Sequence, residues 1–165
     1  MSDTLLPEEI VALARRVVEE NRAAGRKVAL AESCTGGLVA AALTEIPGSS
    51  AVFDRSFVTY SNEAKREMLG VSGDVIDAFG AVSIACVYAM AQGALMNSNA
   101  DVAVAISGIA GPEGATDLKP VGTVVFARAL RDSEEREAEA KLFDATDRGG
   151  VRLQATLCAL ELLLP

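Results

Sequence analysis

A hydroxyl, a thiol and a second hydroxyl follow one another where a short apolar segment gives way to two glycines. They are Ser33, Cys34 and Thr35, followed by Gly36 and Gly37. At the start of a helix, free backbone N–H groups and the helix dipole can stabilise a developing negative charge. The pattern therefore indicates a nucleophile, Ser33 or Cys34, beside an oxyanion site. A purely structural role, in which Ser33 or Thr35 caps the helix, explains the same residues.

The chain contains no histidine, so another group has to activate the nucleophile. Lys65 is the candidate, because it lies in the first turn of a helix that we expect Asn62 to cap. The positive end of a helix and burial both lower the pKa of a lysine. A neutral lysine can take the proton of a serine hydroxyl, and Tyr60 can relay or donate a proton. An exposed lysine without a catalytic role is the alternative, and Cys34 ranks behind Ser33 as nucleophile.

A glycine-rich loop and two arginines are candidates for holding an anionic ligand. The loop 107–114 follows an apolar segment, and its glycines allow backbone N–H groups to approach an anion closely. It matches neither of the two common nucleotide-binding consensus patterns. Arg148 and Arg152 lie one helical turn apart and can clamp a phosphate or carboxylate. A flexible connection and a solvated helix face are the plainer interpretations of these two features.

Composition limits the class of protein. The 165 residues carry a formal net charge of −8, which argues against nucleic acid or an anionic membrane as a general partner. The three scattered cysteines have no zinc-binding spacing, so we expect free thiols, a reducing compartment and no metal. The chain shows neither a signal-peptide pattern nor a run of roughly 18 apolar residues. We therefore expect a cytoplasmic protein.

The candidate segments need a fold that brings them together. Periodicity and capping residues predict helices over 7–24, 36–45, 62–69, 74–79, 83–97 and 147–164. Strands are predicted over 27–31, 52–60, 101–106, 121–129 and 136–143, the last two forming an antiparallel hairpin. This order predicts an α/β fold, a single three-layer α/β/α domain over residues 1–165 with a mixed, mostly parallel sheet. Loops that follow the strands of such a sheet gather at one edge.

Six short motifs occur in order along the chain: AESCTGGL at 31–38, PGSS at 47–50, VTYSNEAK at 58–65, GAVS at 80–83, SGIAGP at 107–112 and KPVGT at 119–123. Together they resemble the CinA C-terminal domain family, whose enzymatic members are nicotinamide-nucleotide amidases. The similarity runs from about residue 8 to the end of the chain.

The resemblance implies hydrolysis of the carboxamide of nicotinamide mononucleotide to nicotinate mononucleotide and ammonia, without a cofactor. It places the family's serine nucleophile on Ser33 and the family's tyrosine and lysine on Tyr60 and Lys65. In the mechanism that we expect, backbone N–H groups near Thr35 and Gly36 stabilise the oxyanion. The predicted substrate-binding residues are Thr35, Gly36, Asn62, Ser107, Gly108, Arg148 and Arg152.

Three other functions stay open at the level of sequence. The chain could be a non-catalytic ligand-binding or regulatory domain, an amidase for another small amide, or a purely structural oligomer-forming domain. The small-residue helix at 83–97 and the apolar segment 153–164 predict a homo-oligomer.

Overall fold

The computed structural model of the protein describes residues 3–144 and 147–165; residues 1–2 and 145–146 of the predicted domain lie outside the described residues. The helices are α1 (Glu8–Ala23), α2 (Leu38–Thr44), α3 (Asn62–Leu69), α4 (Gly73–Phe79), α5 (Ile84–Met96) and α6 (Arg148–Leu162). The strands are β1 (Val28–Glu32), β2 (Phe53–Val58), β3 (Val102–Gly108), β4 (Thr123–Leu130) and β5 (Glu137–Leu142). No helix in these two ranges is long and apolar enough to cross a membrane.

The five strands form one mixed sheet in the order β2-β1-β3-β4-β5. Strand β1 pairs in parallel with β2 and β3, whereas β4 runs antiparallel to both β3 and β5. Four strands therefore point in one direction and β4 points in the other, which confirms the predicted mixed, mostly parallel α/β sheet. The predicted antiparallel hairpin is the β4–β5 pair.

Helices cover both faces of this sheet. Helices α1, α2 and α6 pack together over one face, and α5, with α3 and α4 beside it, covers the other. A hydrophobic core lies on each face of the sheet. Strand β1 is buried along its whole length, with Leu30 in the core under α1, α2 and α6 and Ala29 in the core under α5. Gly93 of α5 lies so close to the Leu69 carbonyl group that no larger residue fits there. This close approach fixes α3, the helix that carries Lys65, against the sheet.

Local capping moves several element boundaries from their predicted positions. Strand β1 extends to Glu32, and α2 begins at Leu38 because Gly36 and Gly37 form a separate turn. The cap of α3 is Ser61, whose Oγ accepts a hydrogen bond of 2.9 Å from the Ala64 N–H. The prediction that Asn62 caps this helix is therefore wrong, since the preceding hydroxyl already reaches the free N–H group.

Candidate active site

A tight turn presents Ser33 at the carboxyl end of β1. The Ser33 N–H donates to the Ile106 carbonyl oxygen of β3 at 3.0 Å, which ties the turn to the middle of the sheet. The Gly36 N–H closes the turn by donating to the Ser33 carbonyl oxygen at 3.0 Å. Gly36 and Gly37 have φ values of 58° and 102°, in the left-handed region that favours glycine. The sequence therefore bends sharply after β1, and Ser33 remains 7% exposed.

Lys65 extends from α3 to this turn, residues 33–37, which we call the nucleophile turn after the predicted role of Ser33. The lysine side chain is almost completely buried, at 1% exposure. Its Nζ lies 3.0 Å from Ser33 Oγ, 2.8 Å from the Thr59 carbonyl oxygen and 3.1 Å from the Tyr60 carbonyl oxygen. Burial lowers the pKa of this lysine, against a smaller opposing influence of the nearby cysteines.

The three neighbours of Lys65 accommodate both protonation states of its side chain. As an ammonium group, Nζ donates to Ser33 Oγ and to the carbonyl oxygens of Thr59 and Tyr60. As a neutral amine, it keeps two N–H donors for the carbonyl oxygens, and its lone pair accepts the proton of the Ser33 hydroxyl. The second arrangement is the one that a general base needs.

The pKa of the thiol next to Ser33 is shifted in the opposite direction to that of Lys65. Cys34 is 5% exposed, and burial raises the pKa of its thiol to about 11. Near neutral pH this group is therefore a protonated thiol and a weak nucleophile. The environment of the turn favours the Ser33 hydroxyl over the Cys34 thiol.

Glu32 is a buried carboxylate whose function the sequence reasoning missed. Its Oε1 accepts hydrogen bonds from Thr35 Oγ1 at 2.8 Å and the Val39 N–H at 3.0 Å. Its Oε2 accepts from the Ala40 N–H at 3.2 Å and Ser56 Oγ at 3.0 Å. Glu32 therefore joins the nucleophile turn, the start of α2 and strand β2. The available signal was a charged residue that closes an otherwise apolar strand segment.

The Glu32 contacts change the expected oxyanion site. The first N–H groups of α2 are occupied by this carboxylate, so the start of α2 does not hold a developing negative charge as we expected. The Gly36 N–H is also engaged, since it donates to the Ser33 carbonyl oxygen. The Thr35 N–H, the other expected donor, takes part in no hydrogen bond over residues 3–144 and 147–165.

A cavity of about 220 Å³ collects most of the predicted site residues at this edge of the sheet. Seven of them line it: Ser33, Tyr60, Asn62, Lys65, Ser107, Gly108 and Arg148. The loop 107–114 therefore lies beside the nucleophile turn and α3, as the fold predicts.

Arg148 and Tyr60 meet at the mouth of this cavity. Arg148 Nη2 donates to Tyr60 Oη at 3.1 Å, and Nη1 donates to the Gly111 carbonyl oxygen at 2.8 Å. The phenol group of Tyr60 is thus bound to the arginine, and Tyr60 contacts Lys65 through its backbone carbonyl oxygen.

Three predicted substrate-binding residues lie outside the cavity lining: Thr35, Gly36 and Arg152. The Thr35 hydroxyl donates to Glu32. Arg152 Nε donates to the Cys34 carbonyl oxygen at 3.0 Å, and its Nη2 donates to the Thr35 carbonyl oxygen at 3.3 Å. These side chains contact the nucleophile turn from outside the cavity.

The fold and the site together define an α/β protein with a serine and a buried lysine hydrogen-bonded at the carboxyl edge of the sheet. The chain belongs to the CinA C-terminal domain family, whose model matches residues 10–165. It is 54% identical over 143 residues to nicotinamide-nucleotide amidohydrolase PncC of Enterobacter agglomerans, covering 87% of this chain and 86% of that protein. It is 50% identical over 155 residues to the PncC protein of Escherichia coli strain K12, covering 94% and 93%. The crystal structure of the competence/damage inducible protein CihA from Agrobacterium tumefaciens superposes with a TM-score of 0.93 at 48% identity, covering 99% of this chain and 97% of that chain.

Proposed function

We propose that this protein is a nicotinamide-nucleotide amidohydrolase that converts nicotinamide mononucleotide and water to nicotinate mononucleotide and ammonia. The observation that carries the proposal is the 3.0 Å contact between Ser33 Oγ and Nζ of the buried Lys65. The names of the PncC relatives, at 50% and 54% identity, support the carboxamide of a nicotinamide nucleotide as the reacting group. The activity needs no cofactor in this mechanism.

In the first half of the reaction, neutral Lys65 takes the proton of the Ser33 hydroxyl while Oγ attacks the carboxamide carbon. The resulting tetrahedral intermediate carries a negative charge on oxygen. We assign the Thr35 N–H as its donor, because this group has no hydrogen-bond partner among the described residues and follows Cys34, which lines the cavity. One such donor contributes about 3 kcal/mol to transition-state stabilisation. When the C–N bond breaks, Lys65 returns its proton to the leaving nitrogen, and ammonia departs. A nicotinoyl ester on Ser33 remains.

In the second half, water replaces ammonia. Lys65 takes a proton from the water molecule, the hydroxide oxygen attacks the ester carbon, and the proton passes back to Ser33 Oγ as the ester bond breaks. Nicotinate mononucleotide leaves, and the serine and the neutral amine are regenerated. The Tyr60 carbonyl oxygen keeps Lys65 oriented in both halves, while its phenol group faces Arg148.

The size of the cavity suggests how the nucleotide binds. At about 220 Å³ it is smaller than the typical ligand pocket of about 300–1,000 Å³. The pyridine carboxamide therefore enters the cavity, and the ribose and phosphate extend to its mouth. There the Arg148 guanidinium is available to a phosphate after exchanging its contact with Tyr60. Asn62, Ser107 and Gly108 line the walls and are proposed to bind the carboxamide and ribose.

The test is ammonia release from nicotinamide mononucleotide, measured for the wild type and for Ser33→Ala. We expect the variant to lose turnover while keeping its thermal unfolding temperature, because a small, nearly buried hydroxyl is removed. Hydroxylamine added to the wild type would trap the nicotinoyl ester as the hydroxamate. Unchanged turnover in Ser33→Ala would refute the serine mechanism. A parallel panel of nicotinamide riboside, nicotinamide and unrelated small amides identifies the substrate, and no ammonia from any of them would favour a ligand-binding function.

A further inference from the structure

Arg152 has contacts that a phosphate-binding residue does not need. It extends from the second turn of α6 to the outer side of the nucleophile turn, where it donates to the Cys34 carbonyl oxygen at 3.0 Å and the Thr35 carbonyl oxygen at 3.3 Å. No carboxylate forms a salt bridge with it within the part of the chain that the structure describes. A positive charge without a salt-bridge partner among the described residues therefore lies against the backbone that follows Ser33.

The peptide group between Cys34 and Thr35 passes the effect of this charge on to the Thr35 N–H. In a trans peptide the C=O and N–H bonds point in opposite directions, so the Thr35 N–H points away from Arg152. A cationic donor on the carbonyl oxygen polarises the peptide group and strengthens its N–H as a donor. The Thr35 N–H has no hydrogen-bond partner among the described residues. A polarised, unpaired N–H one residue beyond Cys34 is well suited to a developing oxyanion.

The adjacent thiol lies in the field of the same charge. Burial dominates and raises the pKa of Cys34 to about 11; its own backbone N–H, Arg152 and Lys65 lower it, and Glu32 raises it. On the other side of the turn, the Thr35 hydroxyl donates to Glu32 at 2.8 Å, so the residue after the peptide group is held as well.

We propose that Arg152 is a positioning residue that holds and polarises the Cys34–Thr35 peptide group as an oxyanion donor, instead of binding the substrate phosphate. The proposal rests on the serine mechanism proposed above. It predicts that Arg152 acts on every amide that Ser33 attacks, whether or not the substrate carries a phosphate. A phosphate-binding residue would act only on the phosphorylated substrate.

The experiment compares Arg152→Gln and Arg152→Lys with the wild type on nicotinamide mononucleotide and nicotinamide riboside. We expect Arg152→Gln to lower kcat about 10- to 100-fold for both amides, with KM for the mononucleotide nearly unchanged, because an oxyanion donor is weakened. Arg152→Lys keeps the charge and should recover part of the loss. Arg16→Gln, on the exposed surface of α1, is the matched control and should behave as the wild type.

Labelling of Ser33 by a neutral aryl phosphonate ester, followed by intact mass, separates this inference from the proposed substrate. The phosphonate oxygen occupies the oxyanion position, so Arg152→Gln should slow labelling by a similar factor at an unchanged unfolding temperature. A KM increase confined to the mononucleotide, or labelling as fast as in the wild type, would overturn the positioning role. A wild type that labels in an Arg152-dependent manner but hydrolyses neither amide would refute the proposed substrate alone. A wild type that is neither labelled nor active would refute both.

Discussion

Replacement of Glu32 by glutamine tests how strongly one carboxylate stabilises the nucleophile turn. Each carboxylate oxygen accepts one backbone N–H and one hydroxyl hydrogen bond. An amide has only one acceptor oxygen, so in either orientation its NH₂ group faces a backbone N–H of α2. The hydroxyl on that side can rotate and accept, but the backbone N–H loses its partner.

The energetic consequence follows from these contacts. An unsatisfied buried N–H costs about 1–3 kcal/mol, and the three remaining bonds each weaken by roughly 1 kcal/mol without the charge. The lower desolvation penalty of a neutral side chain offsets part of this loss. We expect Glu32→Gln to lower the free energy of unfolding by about 3 kcal/mol, which corresponds to a Tm decrease of roughly 6–12 °C for a chain of this size.

Urea denaturation followed by circular dichroism measures the effect, with equal m values required for the comparison. Glu19→Gln is the matched control, since the same chemical change on the exposed surface of α1 should alter stability by less than about 0.5 kcal/mol. A Glu32→Gln protein as stable as this control would refute the reasoning, because it would mean that neither the unpaired N–H nor the loss of charge in the other three bonds lowers stability. Ammonia release from nicotinamide mononucleotide should also slow in the variant, since the turn that carries Ser33 is held less firmly.

Four further outcomes follow from the site. Lys65→Met should reduce kcat by about 10²–10⁴-fold, the usual contribution of a general base; substantial turnover would identify another base. In the wild type, kcat/KM should rise with pH to a plateau whose midpoint lies below 10.5, because burial lowers the pKa of Lys65; a midpoint at the ordinary value would contradict a lysine whose charged form is disfavoured by burial. The unfolded chain binds the Lys65 proton more tightly than the folded chain, so the stability of the wild type relative to Lys65→Met should increase with pH between the lowered pKa and 10.5, as measured by urea denaturation; a constant difference would show that the pKa is not lowered. Cys34→Ala should keep most of the turnover, since the thiol with a pKa of about 11 is protonated at neutral pH; abolished activity in a folded variant would make Cys34 the nucleophile.

The elements of this fold were predictable because apolar periodicity and capping residues act locally. The strand predicted at 101–106 is a continuous apolar run after Asp101, and it is β3 at 102–108 in the structure. Boundaries were less predictable where two capping residues compete, as with Ser61 and Asn62. Either side chain can cap, and backbone geometry decides which hydroxyl or amide reaches the N–H group.

Residues of the site were predictable only where the residue type and its place in an element indicate a chemical role. A serine after a strand and a lysine at the start of a helix suggested the Ser33–Lys65 pair. For Glu32 the sequence offered only a charge at the end of an apolar segment; its partners were not predictable, because three of them come from α2 and β2, up to 24 residues away. Arg152 contacts the turn across 118 positions of sequence, and only the packing of α6 beside α2 brings it there. The positions of such long-range side chains depend on the tertiary fold.

The Glu32 carboxylate, which accepts hydrogen bonds from the first turn of α2, affects the direction in which the proposed nucleotide substrate would enter. Helix starts commonly attract phosphate groups, and a phosphate seated there would block the serine hydroxyl. Because Glu32 already accepts the first free N–H groups of α2, this helix start offers little attraction to an incoming dianion, and under the proposed function Arg148 attracts it to the entrance of the cavity instead. The fold thereby discourages reversed binding, and inorganic phosphate should be a poor competitor for the carboxamide end of the site.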